Sequence, residues 1–330
     1  MSVKLSSKES KINVTIVIMP TIFKDINCEF EDYKISFNYK NYELEINITS
    51  DSLDEKEIEK IYWDFYDYIG LILGYFPSIS DTEISGTKMN VDLAEQYKTK
   101  NCFIRNSEQY IKKMSNDDFK KSFEKFRKLS KKISFQIDMF NVAMMESNHY
   151  PEITILNVLQ SLDGLYEELC SNKSISKKII KEKMKYINNK INSINLDNID
   201  NQELDNIKNY MQKINEINFA DKLIYFCDNC EFDIFEKERK LEIENRYYFY
   251  NLINLFVNTR NKFSHSVKKN NTLTGTEAAT YIFKLIMLYR VIILKELDLS
   301  NLIDKNEFLD NLKEWDDYII PTIEKDREDK

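Results

Sequence analysis

The chain has 330 residues, a mass of 39.5 kDa, a formal net charge of -8 and a pI near 5.2. That length exceeds the usual size of one core and predicts two domains, while the net acidity argues against blanket adhesion to nucleic acid, which scales with clustered cations. With only 5 Gly and 4 Pro beside 20 Tyr and 20 Phe, disorder is excluded in favour of long regular elements around an aromatic core. The 5 cysteines are sparse and odd in number, and no charged-then-apolar-then-small segment opens the sequence. Secretion and a disulfide framework are therefore not expected, and the cytoplasm is the default location.

The first eighty or so residues read mostly as strands. Ile12–Ile18, Cys28–Phe37 and Tyr42–Ile48 alternate apolar and polar residues, with Asn, Asp and Lys clusters between them, which predicts a half-buried antiparallel sheet. Ser52 is the expected cap of a helix whose apolar positions are Ile58, Ile61, Tyr62, Phe65, Tyr68, Ile69 and Ile72, ending near Gly74. Ser80 to Met89 returns to strand. From Ser107 the pattern turns helical, and Phe119, Phe123, Phe126, Ile133, Ile137 and Phe140 form one core stripe. From Pro151 onward every periodicity is helical, interrupted by the Asn-rich stretch Asn188 to Asn201. The fold class expected is α+β: a β-rich N-terminal domain over 1–90, a helical connection over 91–149, and an all-α bundle over 150–325.

Two helical stretches carry local positive charge against the acidic whole. Residues 111–132 hold nine Lys or Arg against three acids, and residues 173–190 hold seven Lys against one. Such runs are usually solvated helix faces; two of them also fit a channel for an anionic polymer. Tyr281 to Leu294 is apolar apart from Lys284 and Arg290. It is too short for a bilayer, which needs about 20 apolar residues, so it reads as a core or interface helix and no membrane partner is expected.

Chemistry concentrates in Arg260-Asn261-Lys262-Phe263-Ser264-His265. The chain has only 2 histidines, and this segment joins one of them to a guanidinium and an amide within two turns. Histidine titrates nearest neutrality among ordinary side chains, and arginine stays charged while offering a planar fork that matches phosphate oxygens. Together they suit phosphodiester chemistry. Five residues along an ideal helix sweep roughly 140° past a full turn, so Arg260 and His265 do not share a face of an undistorted helix. Either the helix ends near Ser264, or two chains complete one site.

The run Val257–His265 resembles the Arg-x(4 to 6)-His element of the HEPN superfamily, all-α domains that include many RNases. It is most similar to the ApeA-like branch, where a Thr-Arg-Asn-x-x-x-His run follows a long helix (here Tyr247 to Val257) and precedes a loop (266–275) and a further helix (Thr276 to Leu299). Leu159–Tyr166 resembles the first helix of that branch, with Asp163 where an acidic residue, more often Glu, stands. The resemblance covers roughly residues 150–325. It implies a homodimeric RNA endonuclease in which His265 serves as acid or base, Arg260 stabilises the scissile phosphate, Asn261 orients the phosphate or the second histidine, and Asp163 fixes Arg260 or the substrate. It further implies 2′-hydroxyl attack with no metal or other cofactor, RNA as partner with tRNA as the first candidate, a role in antiphage defence by abortive infection, and a phage-derived trigger or regulatory partner. The alternative is a non-catalytic HEPN module that binds RNA or a partner. The apolar excess of Tyr281 to Leu294 places the dimer interface on the 247–294 helices, and residues 1–148 are expected to be dispensable for the chemistry.

Other motifs carry less. Cys227 and Cys230 have metal-ligand spacing, but no second Cys pair or nearby His completes four ligands. His149, at the domain junction, reads as structural. No Walker A loop, Gly-x-Gly-x-x-Gly turn or nucleophile elbow occurs, so nucleotide-fuelled chemistry is not expected.

Overall fold

The computed structural model describes residues 10–17, 21–23, 25–40, 43–74, 76, 78–84, 87–88, 110–146, 151–171, 173–193, 216–244, 248–265, 271–273 and 275–328. His149 and parts of the 266–275 loop and of the Asn-rich stretch lie outside these. The chain is α+β: an N-terminal antiparallel sheet is followed by a mostly helical remainder. Six strands, β1 (Ser10–Val17), β2 (Asn27–Glu29), β3 (Lys34–Lys40), β4 (Glu43–Ser50), β5 (Ser78–Ile84) and β6 (Thr87–Lys88), form one sheet in the order β2-β3-β4-β1-β5-β6. Every pairing is antiparallel, with Ile12 opposite both Ile48 and Ile84 in the register. The expected strand Cys28–Phe37 is in fact two. Phe30 N–H donates to the carbonyl of Tyr33 at 2.8 Å, closing a turn between β2 and β3.

Helix α1 (Glu55–Leu73) begins at Asp54 rather than Ser52: the Asp54 carboxylate accepts from Glu57 N–H, and the Glu57 side chain returns the bond to Asp54 N–H. A capping box satisfies two otherwise orphaned donors. Ser52 is drawn off instead to the Asp32 carbonyl and to Ser50. The helix ends at Gly74, whose φ of 77° lies in the left-handed region open to glycine. The described helix of the next stretch is α2 (Asn116–Glu146); Ser107, where the pattern turns helical, lies outside the described residues. Ahead of α2, Ile111 forms an isolated antiparallel bridge with Ile303, Lys112 N–H donates to the Leu302 carbonyl and Met114 N–H to that of Ile22, and Ser115 and Asp118 cap the helix start. The stripe from Phe119 to Phe140 is buried as expected. Phe119 sits edge-on to Phe37 of β3 at 5.3 Å and to Tyr68 of α1 at 5.9 Å, so one aromatic core joins the sheet, α1 and α2.

Among the described residues the remaining α-helices are α3 (Pro151–Cys170), α4 (Lys173–Ser193), α5 (Phe219–Asn229), α6 (Glu236–Glu244), α7 (Tyr248–His265), α8 (Gly275–Glu296) and α9 (Lys305–Glu328). Two compact units result, one comprising Met1–Val158 with Leu273–Lys330, the other Leu159–Thr272. In the first unit α8 corrects an expectation. Every residue from Tyr281 to Leu294 is buried within the chain itself, so the segment leaves no spare apolar face for a second copy. Its two cations are satisfied inside. Lys284 pairs with Asp316 of α9 at 2.6 Å, and Arg290 donates to the Leu71 and Ile72 carbonyls at the end of α1, at 2.9 and 2.6 Å, and to the Tyr110 hydroxyl. The last carbonyls of a helix favour a cation. In the second unit, Phe235 packs against Phe249 and Phe256 of α7, and Arg239 stacks over Phe249 at 4.4 Å. Among the described residues no helix is long and apolar enough to cross a membrane.

Candidate functional site

The motif lies at the C-terminal end of α7, inside the second unit. Its helix does not stop before the histidine: α7 runs through His265, and the separation of roughly 140° between Arg260 and His265 is kept. The inward face carries Phe249, Leu252, Ile253, Phe256 and Thr259, all buried. Arg260 lies beside that face, half-buried, and His265 is exposed on the other side. Asn261 is half-buried. Among the described residues, the side chains of Asn261 and His265 make no hydrogen bond or ion pair.

Arg260 is held by α3. Its Nη2 donates to Asp163 Oδ2 at 2.5 Å, and one turn further Gln160 Nε2 donates to Ser264 Oγ at 3.2 Å. The pairs 160–264 and 163–260 run in opposite directions, so α3 and α7 lie antiparallel at this point. The segment singled out as a first HEPN helix therefore meets the Arg-His motif directly, and structure brings Asp163 and Arg260 together while leaving His265 apart.

Helix α5 supplies two residues that motif reading missed. Asn218 and Asp221 form a capping box that starts the helix, and Phe219 in its first turn lies under the Arg260 guanidinium, 4.8 Å from its carbon. Lys222, one turn on, donates to the other Asp163 oxygen, Oδ1, at 2.6 Å, and to Glu167 Oε1. Burial works against the Lys222 ammonium, yet its hydrogen bonds to Asp163 and Glu167 outweigh that and hold its pKa above the ordinary lysine value. Beneath it the ring of Tyr166 lies 5.6 Å away. Burial, with further contributions from Cys170 and Tyr225, pushes the Tyr166 phenol up to about 12.

The arrangement presents one oriented guanidinium with an aromatic ring on one side and a shared carboxylate at its edge. Such a group binds a phosphate or carboxylate; alone it moves no proton. A single chain thus offers the cation and the histidine on different faces. The Cys227–Cys230 segment is a helix end: Cys227 is buried, with burial raising its thiol pKa, and Asp228 is bound to Arg239 at 2.7 Å. Among the described residues no cluster of His, Cys, Asp and Glu has the geometry to hold a metal ion.

No curated protein and no solved structure matches the chain. Residues 156–302, a little under half of the chain and running from within α3 to the 3₁₀ turn after α8, match the model of the Apea-like HEPN family.

Proposed function

We propose that the protein is a metal-independent RNA endonuclease of the HEPN type, acting in antiphage defence by abortive infection, with tRNA as the first substrate to test. The observation that carries this reading is that α7 ends with Arg260, held by Asp163 of α3, and with an exposed His265 on another face. Because the cation and the acid-base group point to different faces, a site of this chemistry needs two copies of α7. In a symmetric dimer His265 of one copy removes the proton from a ribose 2′-hydroxyl, whose oxygen attacks the adjacent phosphorus. Arg260 stabilises the charge that grows on the phosphate oxygens. The second histidine protonates the departing 5′-oxygen, and Asn261 orients the phosphate or that histidine. The products are a 2′,3′-cyclic phosphate and a 5′-hydroxyl, so DNA is no substrate. Because the nucleophile belongs to the substrate, no metal-bound water is required. Incubation of purified protein with total tRNA in EDTA, followed by end-group analysis, tests this: cyclic phosphate ends support it, and intact tRNA with bound protein favours the second reading.

That second reading is a non-catalytic HEPN module that binds RNA or a protein partner. The separation of Arg260 from His265 within one chain favours it, because a lone guanidinium binds but does not cleave. The N-terminal sheet domain, outside the family match, is then the place to look for sensing of a phage-derived trigger or for substrate positioning under either reading.

A further inference from the structure

Asp163 and Arg260 do not form the fork that an unhindered carboxylate and guanidinium adopt. Oδ2 accepts from Arg260 Nη2 at 2.5 Å, but Oδ1 accepts from Lys222 Nζ at 2.6 Å, and Arg260 Nε is buried with no hydrogen-bond partner among the described residues. An unrestrained pair closes with two parallel bonds, one oxygen on each of two guanidinium nitrogens. Here the second oxygen is withheld. Lys222 holds it, braced by Glu167 on its other side and by the Tyr166 ring below.

We propose that Lys222 is a positioning residue for Arg260: by dividing the Asp163 carboxylate it keeps the guanidinium one hydrogen bond short and therefore able to take a substrate phosphate. This rests on the nuclease reading above for the identity of the phosphate as RNA, but the geometry itself needs only an anionic ligand. Without Lys222, Asp163 swings both oxygens onto Arg260, satisfies Nε and quenches the cation. Lys222 thus acts through Asp163 and not by touching the phosphate. Its side chain is 12% exposed and spans two carboxylates, which suits a brace better than a direct contact.

The test is a double-mutant cycle read by binding of a fluorescent, fully 2′-O-methylated single-stranded RNA, which cannot be cut by 2′-hydroxyl attack. Lys222→Met is expected to weaken binding about tenfold or more, the scale of one charge-assisted hydrogen bond, and to lower cleavage of native RNA in parallel. In an Asp163→Asn background, where no two-oxygen anionic clamp is possible, Lys222→Met is expected to change binding by no more than about twofold. The same tenfold loss in both backgrounds would show Lys222 to be a direct phosphate contact and overturn the proposal. If Lys222→Met does not fold, Lys222→Gln decides: it keeps a donor for Oδ1, so near-wild-type binding supports a brace and a loss equal to that of a missing charge refutes it. Wild-type protein that binds the methylated RNA but leaves native RNA uncut removes the nuclease reading and leaves the cycle readable. Wild-type protein that does not bind it at all removes both.

Discussion

His265 and Arg260 share one helix but not one face, and this divides their expected mutant behaviour. If His265 is the acid-base group, His265→Ala lowers cleavage by roughly 10² to 10⁴-fold with little effect on folding, since the residue is exposed and, among the described residues, unbonded. Arg260→Lys also impairs turnover although charge is retained, because a lysine offers a point charge where Asp163 and Phe219 hold a planar fork. Cleavage rates on tRNA, measured beside a thermal melt, check both. A folded His265→Ala protein that cuts at the wild-type rate refutes the catalytic role. At this scale the sequence was legible where the chemistry is contiguous: Arg260, Asn261 and His265 lie within six residues. Lys222 and Phe219 were not legible, because their relation to the motif exists only in space, with Lys222 standing 59 residues from the carboxylate it binds.

Among the elements, local patterning settled helices and strands, and their ends were fixed by competition between neighbouring polar groups. Ser52 and Asp54 are both capping residues by type; the Asp32 carbonyl draws the Ser52 hydroxyl away, and Asp54 takes the role. The three helices α1, α2 and α8 also create a titrating site that no pattern announces. Asp67 of α1 accepts from Asn141 Nδ2 of α2 at 2.9 Å, but burial, with Asp138 and Asp64 adding like charge, raises its carboxyl from 3.8 to about 7. Close by, the Tyr289 hydroxyl of α8 is buried without a hydrogen-bond partner among the described residues, its pKa raised by burial and by Asp67 and Asp138. A folded-state pKa above the unfolded one means that unfolding releases a proton between pH 4 and 7, so the contribution is favourable at the acid end and is lost as pH rises toward 7. The slope is at most about 1.4 kcal/mol per pH unit for one proton. Urea midpoints measured from pH 4.5 to 8 should show this fall, and Asp67→Asn should flatten it; an unchanged slope in the variant would place the titration elsewhere.

For the whole molecule, the consequential feature is what covers α8. An apolar helix of this kind reads equally well as a core element or as an interface, and only the packing decides: Phe140 of α2 stacks on Tyr289 at 4.0 Å, Arg290 closes the end of α1, and Trp315 of α9 stacks on Phe283 at 4.5 Å. The catalytic reading still asks for a dimer, but the apolar surface of α8 is not available to make it. The same packing changes what truncation does. Removing residues 1–149 strips α1 and α2 from α8, baring Tyr289, which is buried in the intact chain under the Phe140 ring, and cutting the buried Arg290 guanidinium from the Leu71 and Ile72 carbonyls and the Tyr110 hydroxyl. At about 1.5–3 kcal/mol for a large apolar side chain returned to water, and with a buried cation cut from its partners, the loss is a large part of the stability of a typical domain, about 5–15 kcal/mol. Against the expectation that residues 1–148 are dispensable for chemistry, this packing predicts that the fragment 150–330 does not fold alone, so that any loss of cleavage in it would report lost structure, not lost regulation. Expression of that fragment, with circular dichroism melts and size-exclusion chromatography, provides the check. A soluble fragment with a cooperative melt would mean that α8 finds an adequate cover without the sheet domain.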